Sequence, residues 1–168
     1  MRTDSMVRDI LLFLGLILVV LFYQTLGVDV VNIGLARPDL IIIIIVWLTL
    51  TRDLTWGVAF GFGAGILLDS QSPQFLGLGA FLKVFAAIAV FLISHRVRTE
   101  SLVIRIGLVA GVVTAHDILY FLVVYSFDPH LELITLLNMI IPSALYTSLV
   151  AAGVLYLSER QLTIRFES

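Results

Sequence analysis

Residues 40–69 read LIIIIIVWLTLTRDLTWGVAFGFGAGILLD. The apolar run 40–46, with consecutive isoleucines from Ile41 to Ile45, would favour a strand in water, because β-branched side chains suit a pleated surface. It lacks the alternation of polar and apolar residues that a membrane β-barrel strand carries. In lipid every backbone group must be hydrogen-bonded internally, and that demand overrides the strand preference in favour of a helix. Thr51-Arg52-Asp53 then forms a short charged hinge, suited to a water-exposed turn. Beyond it Gly57, Gly61 and Gly65 stand four apart and lead to Asp69. Positions four apart drift slowly around a helix, so the glycines form one diagonal stripe, broadened by Ala59 and Gly63. Such a face lets another helix approach backbone to backbone.

The rest of the chain has the same character. Of its 168 residues 60% are hydrophobic and 13% charged, and the mean hydropathy is +1.10, against about 45–50% apolar and about 25% charged in soluble domains. The polar surface needed to cover a globule in water is missing, so an all-α integral membrane protein of one domain, residues 1–168, is expected. The net charge of -2 argues against a nucleic-acid partner. The absence of cysteine excludes disulfides, a thiolate metal site and a cysteine nucleophile. Arg2 and Arg8 ahead of an apolar run resemble a signal peptide, but the run is long and no Ala-x-Ala-like cleavage site follows. A retained first helix is expected.

Six membrane segments are read, at 10–26, 36–50, 54–68, 79–94, 102–125 and 134–157. Segments two to four are shorter than the roughly 20 residues that cross a hydrocarbon core. They either cross thinned bilayer inside the bundle or, for the second and third, form a re-entrant pair; the charged hinge favours full crossing. With six crossings Arg2, Arg8, Arg52, Arg96, Arg98, Arg105, Arg160 and Arg165 share one side, and only Arg37 and Lys83 lie on the other. The positive-inside rule then places both termini in the cytoplasm. The fifth segment repeats the small-residue device with Gly107, Gly111 and Ala115.

Several polar residues fall where lipid would penalise them. Asp117 lies about 13 Å below the outer edge of its segment at ~1.5 Å per residue, so it should face the bundle, pair or be protonated. Thr114 is its best-placed neighbour, with His116 beside it; an internal hydrogen-bonded brace is favoured over a binding or relay site. Asp69 is placed to cap the turn 70–73. Pro38 suits a first helical position and Asp39 the positive helix N-terminus. Arg37 is placed to pair with Asp39 or Asp69, and Lys83 to snorkel outward. Pro142 cannot donate to the carbonyl of Asn138, so a kink is expected there. The polar groups Arg37, Asp39, Asp69, Lys83, Asp117 and Asn138 therefore gather in the outer half, the strongest hint of a functional surface or cavity. No phosphate-binding glycine loop or His-Glu-x-x-His sequence occurs, Ser143 and Ser148 have no base nearby in sequence, and His116 has no partners at metal-ligand spacing. No catalytic, metal or cofactor site is expected.

The order of these features resembles the MreD family of bacterial rod shape-determining membrane proteins. Arg37-Pro38 opens the second segment, Gly57, Gly61 and Gly65 lead to Leu68-Asp69, Leu76-Gly77 follows, Asp117 lies in the fifth segment, and Asn138 and Pro142 in the sixth. The resemblance covers essentially the whole chain. It implies a non-enzymatic scaffold or regulatory subunit of cell elongation and peptidoglycan synthesis in the bacterial cytoplasmic membrane. The implied partner is an MreC-like single-pass protein, in a complex with MreB, RodA and a penicillin-binding transpeptidase. The implied fold is a six-helix bundle similar to the substrate-binding membrane subunits of energy-coupling-factor transporters. On that footing the glycine faces are expected to receive the partner's transmembrane helix, and the outer polar cluster to shape a cavity or support the partner-binding face. The alternative is a small-molecule-binding subunit of such a transporter.

Overall fold

A computed structural model describes residues 2–22, 38–71, 73–97, 101–126 and 133–166. Among them are six α-helices and no strand. They are α1 (Arg2–Phe22), α2 (Leu40–Thr51), α3 (Leu54–Asp69), α4 (Leu78–Ser94), α5 (Leu102–Tyr125) and α6 (Leu133–Phe166), with a 3-10 turn at Pro73–Phe75 ahead of α4.

α2 is the centre of the bundle and touches every other helix. Its isoleucine run is apolar on all sides, which is the pattern of a helix with no exposed face; Ile42, Ile45, Val46 and Leu48 are fully buried. At ~1.5 Å per residue its 12 residues span about 18 Å. One side of α2, with Ile42, Ile43 and Val46, packs with Val90 of α4, Val109 and Val113 of α5, and Ala151 and Leu155 of α6. The other, with Ile41, Ile45 and Leu48, packs with Val20 of α1, Phe60 and Ala64 of α3, and Ala87 of α4. α2 is thus the wall between two core clusters.

Helix ends follow from local hydrogen bonds. Asp39 Oδ1 accepts from the Ile42 N–H at 3.0 Å, making Asp39 the N-cap of α2. Pro38 therefore lies outside the helix instead of at its first position, and α2 starts at Leu40, four residues later than the expected 36. The Asp39 N–H donates to Thr147 Oγ1 of α6 at 3.0 Å, pinning this end to the bundle. Asp53 Oδ1 accepts from the Trp56 N–H at 3.1 Å and caps α3, while the Arg52 guanidinium lies 5.7 Å from the centre of the Trp56 ring. α1 begins at Arg2, well before the apolar run; its expected end at 23–26 lies outside the described residues. α6 runs as one helix through Pro142 to Phe166, nine residues past the expected 157. α5 has the bounds read from the sequence.

The two small-residue stripes have different neighbours. Gly57, Gly61 and Gly65 are buried on α3. A Cβ on Gly65 would meet the Ala80 backbone, with its N at 2.7 Å; on Gly61 it would lie 3.1 Å from the Lys83 carbonyl oxygen and from Ile45 Cδ1; on Gly57 it would collide with Thr49 Oγ1. This stripe is the seat of α4 and α2 within the same chain, so it is closed to a partner helix. Gly107, Gly111 and Ala115 are exposed on α5, and a Cβ on Gly107 or Gly111 would find nothing within 4 Å.

α5 is long and apolar enough to cross a membrane; 10–20, 140–156 and helices α2, α3 and α4 are apolar but shorter.

The contrast yields a prediction. Gly65→Ala should destabilise the bundle by about 1–3 kcal/mol, as overpacking against a backbone does. Gly111→Ala should be neutral or stabilise by about 0.5–1 kcal/mol, since it removes backbone freedom without a clash. Thermal unfolding of the detergent-purified variants, followed by circular dichroism, measures both; equal melting temperatures would refute the assigned packing.

Candidate functional site

The site lies where α3 hands the chain to α4. Asp69, the last residue of α3, is 9% exposed. Its Oδ2 accepts from the Gly77 N–H at 2.9 Å and the Ala80 N–H at 3.1 Å. The carboxylate therefore reaches across the connection to cap α4; its expected capping of the turn 70–73 lies partly outside the described residues. Gly77 can hold this geometry because its φ of 92° is left-handed, a region costly for residues with a Cβ. Gly79 is also required: a Cβ there would collide with Asp69 Oδ1. The negative carboxylate sits at the positive end of α4, a favourable placement.

Lys83 comes next on the same face. The buried stripe of α4 runs through Gly79, Ala80, Lys83, Ala86, Ala87 and Val90, and Lys83 is only 4% exposed. It does not snorkel outward, because its place on this stripe turns it to the bundle interior. Across from it α5 presents its own buried stripe of Val109, Val112, Val113 and His116. His116 is 9% exposed and its Nδ1 lies 3.0 Å from Asp117 Oδ1. A carboxylate only accepts, so Nδ1–H donates to it, and Nε2 is left facing away from the pair. Among the described residues, His116 Nε2 and Thr49 Oγ1 are the buried side-chain polar atoms without a hydrogen-bond partner. The Tyr120 ring stacks over His116 at 6.4 Å between centroids, one turn on.

These groups surround a cavity of ≈ 300 Å³ lined by Leu68, Asp69, Phe75, Gly79, Lys83, His116, Asp117 and Tyr120. Against it lies a second, apolar space of ≈ 480 Å³, a groove between α4 and α5 with Leu82, Phe85, Ile104, Gly107, Gly111, Ala115 and Leu119 among its walls. His116 borders both. Among the described residues no three His, Asp or Glu side chains converge as metal ligands would. The polar cavity offers one ammonium, two carboxylates, an imidazole and a phenol.

Of the polar residues singled out in the sequence, Asp69, Lys83 and Asp117 meet here. Asp39 is spent on capping α2, and Pro38 is buried beside it. Asn138 is exposed on α6 and has no part in the cavity. Arg37 lies outside the described residues. Thr114 does not serve Asp117: its Oγ1 donates to the Ala110 carbonyl of its own helix at 2.8 Å. Tyr120 was the residue missed, and His116 was read only as a neighbour of Asp117. The signal for His116 was present, since it extends the apolar stripe of Val109, Val112 and Val113 by one turn. The chain matches no family model, no curated protein and no solved structure.

Asp69→Ala should cost about 1–2 kcal/mol, the usual effect of removing a helix cap, because two backbone donors lose their acceptor. Asp69→Asn, which keeps one carbonyl oxygen, should lose less. Chemical unfolding in mixed micelles, with amide exchange at Gly77 and Ala80, tests this; protection at both amides in Asp69→Ala would exclude the capping role.

Proposed function

We propose that the chain is a multi-pass protein of a bacterial cytoplasmic membrane, with both termini cytoplasmic, that serves as a non-enzymatic scaffold or regulatory subunit of cell-wall elongation. The reading carries over the resemblance to MreD, and with it a fold like that of the membrane substrate-binding subunits of energy-coupling-factor transporters. Its partner is then an MreC-like single-pass protein, in a complex that includes MreB, RodA and a penicillin-binding transpeptidase.

The membrane part of the reading is supported by one observation above all. Large apolar side chains lie more than half exposed on α1 (Leu11, Leu18, Phe22), α3 (Phe62), α4 (Phe81, Leu92), α5 (Val103, Leu122) and α6 (Ile134, Leu145, Leu149). α2 alone is withheld from this surface. A soluble monomer rarely exposes so continuous an apolar patch. Lipid is the solvent in which such a surface has no cost, and inside it the helix-only architecture satisfies the backbone. The scaffold part is supported by the order of the family-like features along the chain.

The second reading, a small-molecule-binding transporter subunit, is favoured by the polar cavity, which is of a size to hold a small ligand. The two readings diverge in what the protein carries with it. Gentle purification from native membranes, with a tag on the C-terminus, should recover a near-stoichiometric single-pass protein with a large periplasmic domain. Recovery of an ATPase pair with a coupling membrane protein, or of a retained vitamin-like molecule, would replace the scaffold reading with the transport one.

A further inference from the structure

Lys83 carries a charge into the interior with no counter-charge at hand. It is 4% exposed on the buried stripe of α4, and among the described residues it makes no hydrogen bond or ion pair. A buried charge left unpaired is costly. His116 Nε2 and Thr49 Oγ1 are sealed within the packing; the Lys83 ammonium is not sealed with them, and Lys83 lines the polar cavity. The two carboxylates of that cavity do not relieve it, since neither comes within ion-pair distance of Lys83. Asp69 is spent inside the fold: Oδ2 holds the Gly77 and Ala80 N–H groups at the positive end of α4. Asp117 is committed through Oδ1 alone, to His116, and its side chain is 24% exposed. Lys83 and Asp117 Oδ2 are therefore opposite charges left open across one space.

We infer that this cavity binds a small zwitterion, an α-amino acid with an apolar side chain. The ligand carboxylate pairs with the Lys83 ammonium, and the ligand ammonium donates to Asp117 Oδ2. The charges close. One anion meets the lysine, one cation meets Asp117, and Asp69 keeps the two amides and the helix end that it has without a ligand. An anion alone would lie beside Asp117 with nothing to offset their repulsion, and a cation alone would leave Lys83 unpaired. Leu68, Phe75 and the Tyr120 ring supply the apolar part of the wall, which suits the side chain. The volume of ≈ 300 Å³ is at the low end of ligand cavities, roughly 300–1,000 Å³, and fits a ligand of amino-acid size.

This inference goes beyond both readings above and needs no partner protein, so the chain is tested alone; co-purification decides between the readings, and binding decides the site. Isothermal titration of the full-length chain in detergent micelles compares leucine with two analogues of similar shape, isocaproate, which lacks the ammonium, and isoamylamine, which lacks the carboxylate. Leucine should bind about tenfold more tightly than either, the effect of one charge-assisted hydrogen bond. Lys83→Met, which puts an apolar chain in the same place on α4, should abolish the advantage of leucine over the amine. Asp117→Asn, whose carbonyl can still accept from His116 Nδ1–H, should abolish its advantage over the acid, and it keeps the test decisive if Lys83→Met does not fold. No saturable binding of leucine, an analogue that binds as tightly as leucine, or unchanged leucine affinity in either folded variant would each overturn the inference.

Discussion

The approach of α4 to α3, backbone against backbone, sets the spacing of everything around it. Gly57, Gly61 and Gly65 remove three side chains from the contact, and the Ala80 and Lys83 turns of α4 move into the space. Small residues on a helix face let a neighbouring backbone come this close. The contact is closed at one end by Asp69, whose carboxylate binds two amides of the incoming helix. Packing fixes the distance between the two helices, and the carboxylate fixes their register. With both set, Lys83 has one place to go, the interior facing α5.

The polar cavity is a consequence of that register. Its members come from the end of α3, the first turns of α4 and the His116–Tyr120 turn of α5, three stretches that lie apart in sequence. The pair at Nδ1 fixes the imidazole's orientation and leaves the other nitrogen buried without a partner, the arrangement by which a neighbouring acceptor sets the tautomer of a histidine. Thr49 Oγ1 is a second buried atom without a partner, but it sits against Gly57 in the packed contact, where there is no room for a ligand.

The helices were largely legible in the sequence because their signals are local. An apolar run, a charged hinge and a cap residue fix α2, α3 and α5 to within a few residues. The start of α2 was misplaced because Pro38 and Asp39 are both good helix openers, and the side-chain acceptor of Asp39 decided between them. The site was legible only in part. Asp69 and Asp117 stand out because carboxylates in apolar segments are costly wherever they point. Lys83 was misread because snorkelling depends on which way its stripe faces, and that follows from where α3 packs. Asn138 carries the same sequence signal as the others, yet faces outward, since α6 turns other residues to the core. His116 was undervalued because a histidine on an apolar stripe gains meaning only from the cavity beside it.

The burial of α2 has a consequence for how the protein is made. Its side bearing Ile42, Ile43 and Val46 finds its neighbours on α4, α5 and α6, the last of them at Ala151 and Leu155. Chain emerging N-terminus first offers α2 first α1 and then α3, which cover the opposite side, before α4 and α5 reach this one. Until the final helix is synthesised, that flank of the shortest and most apolar helix has its neighbours on α4 and α5 but lacks those on α6. The bundle therefore closes late, around its second helix, and a truncation that removes α6 takes away the inner wall of a helix made more than ninety residues earlier.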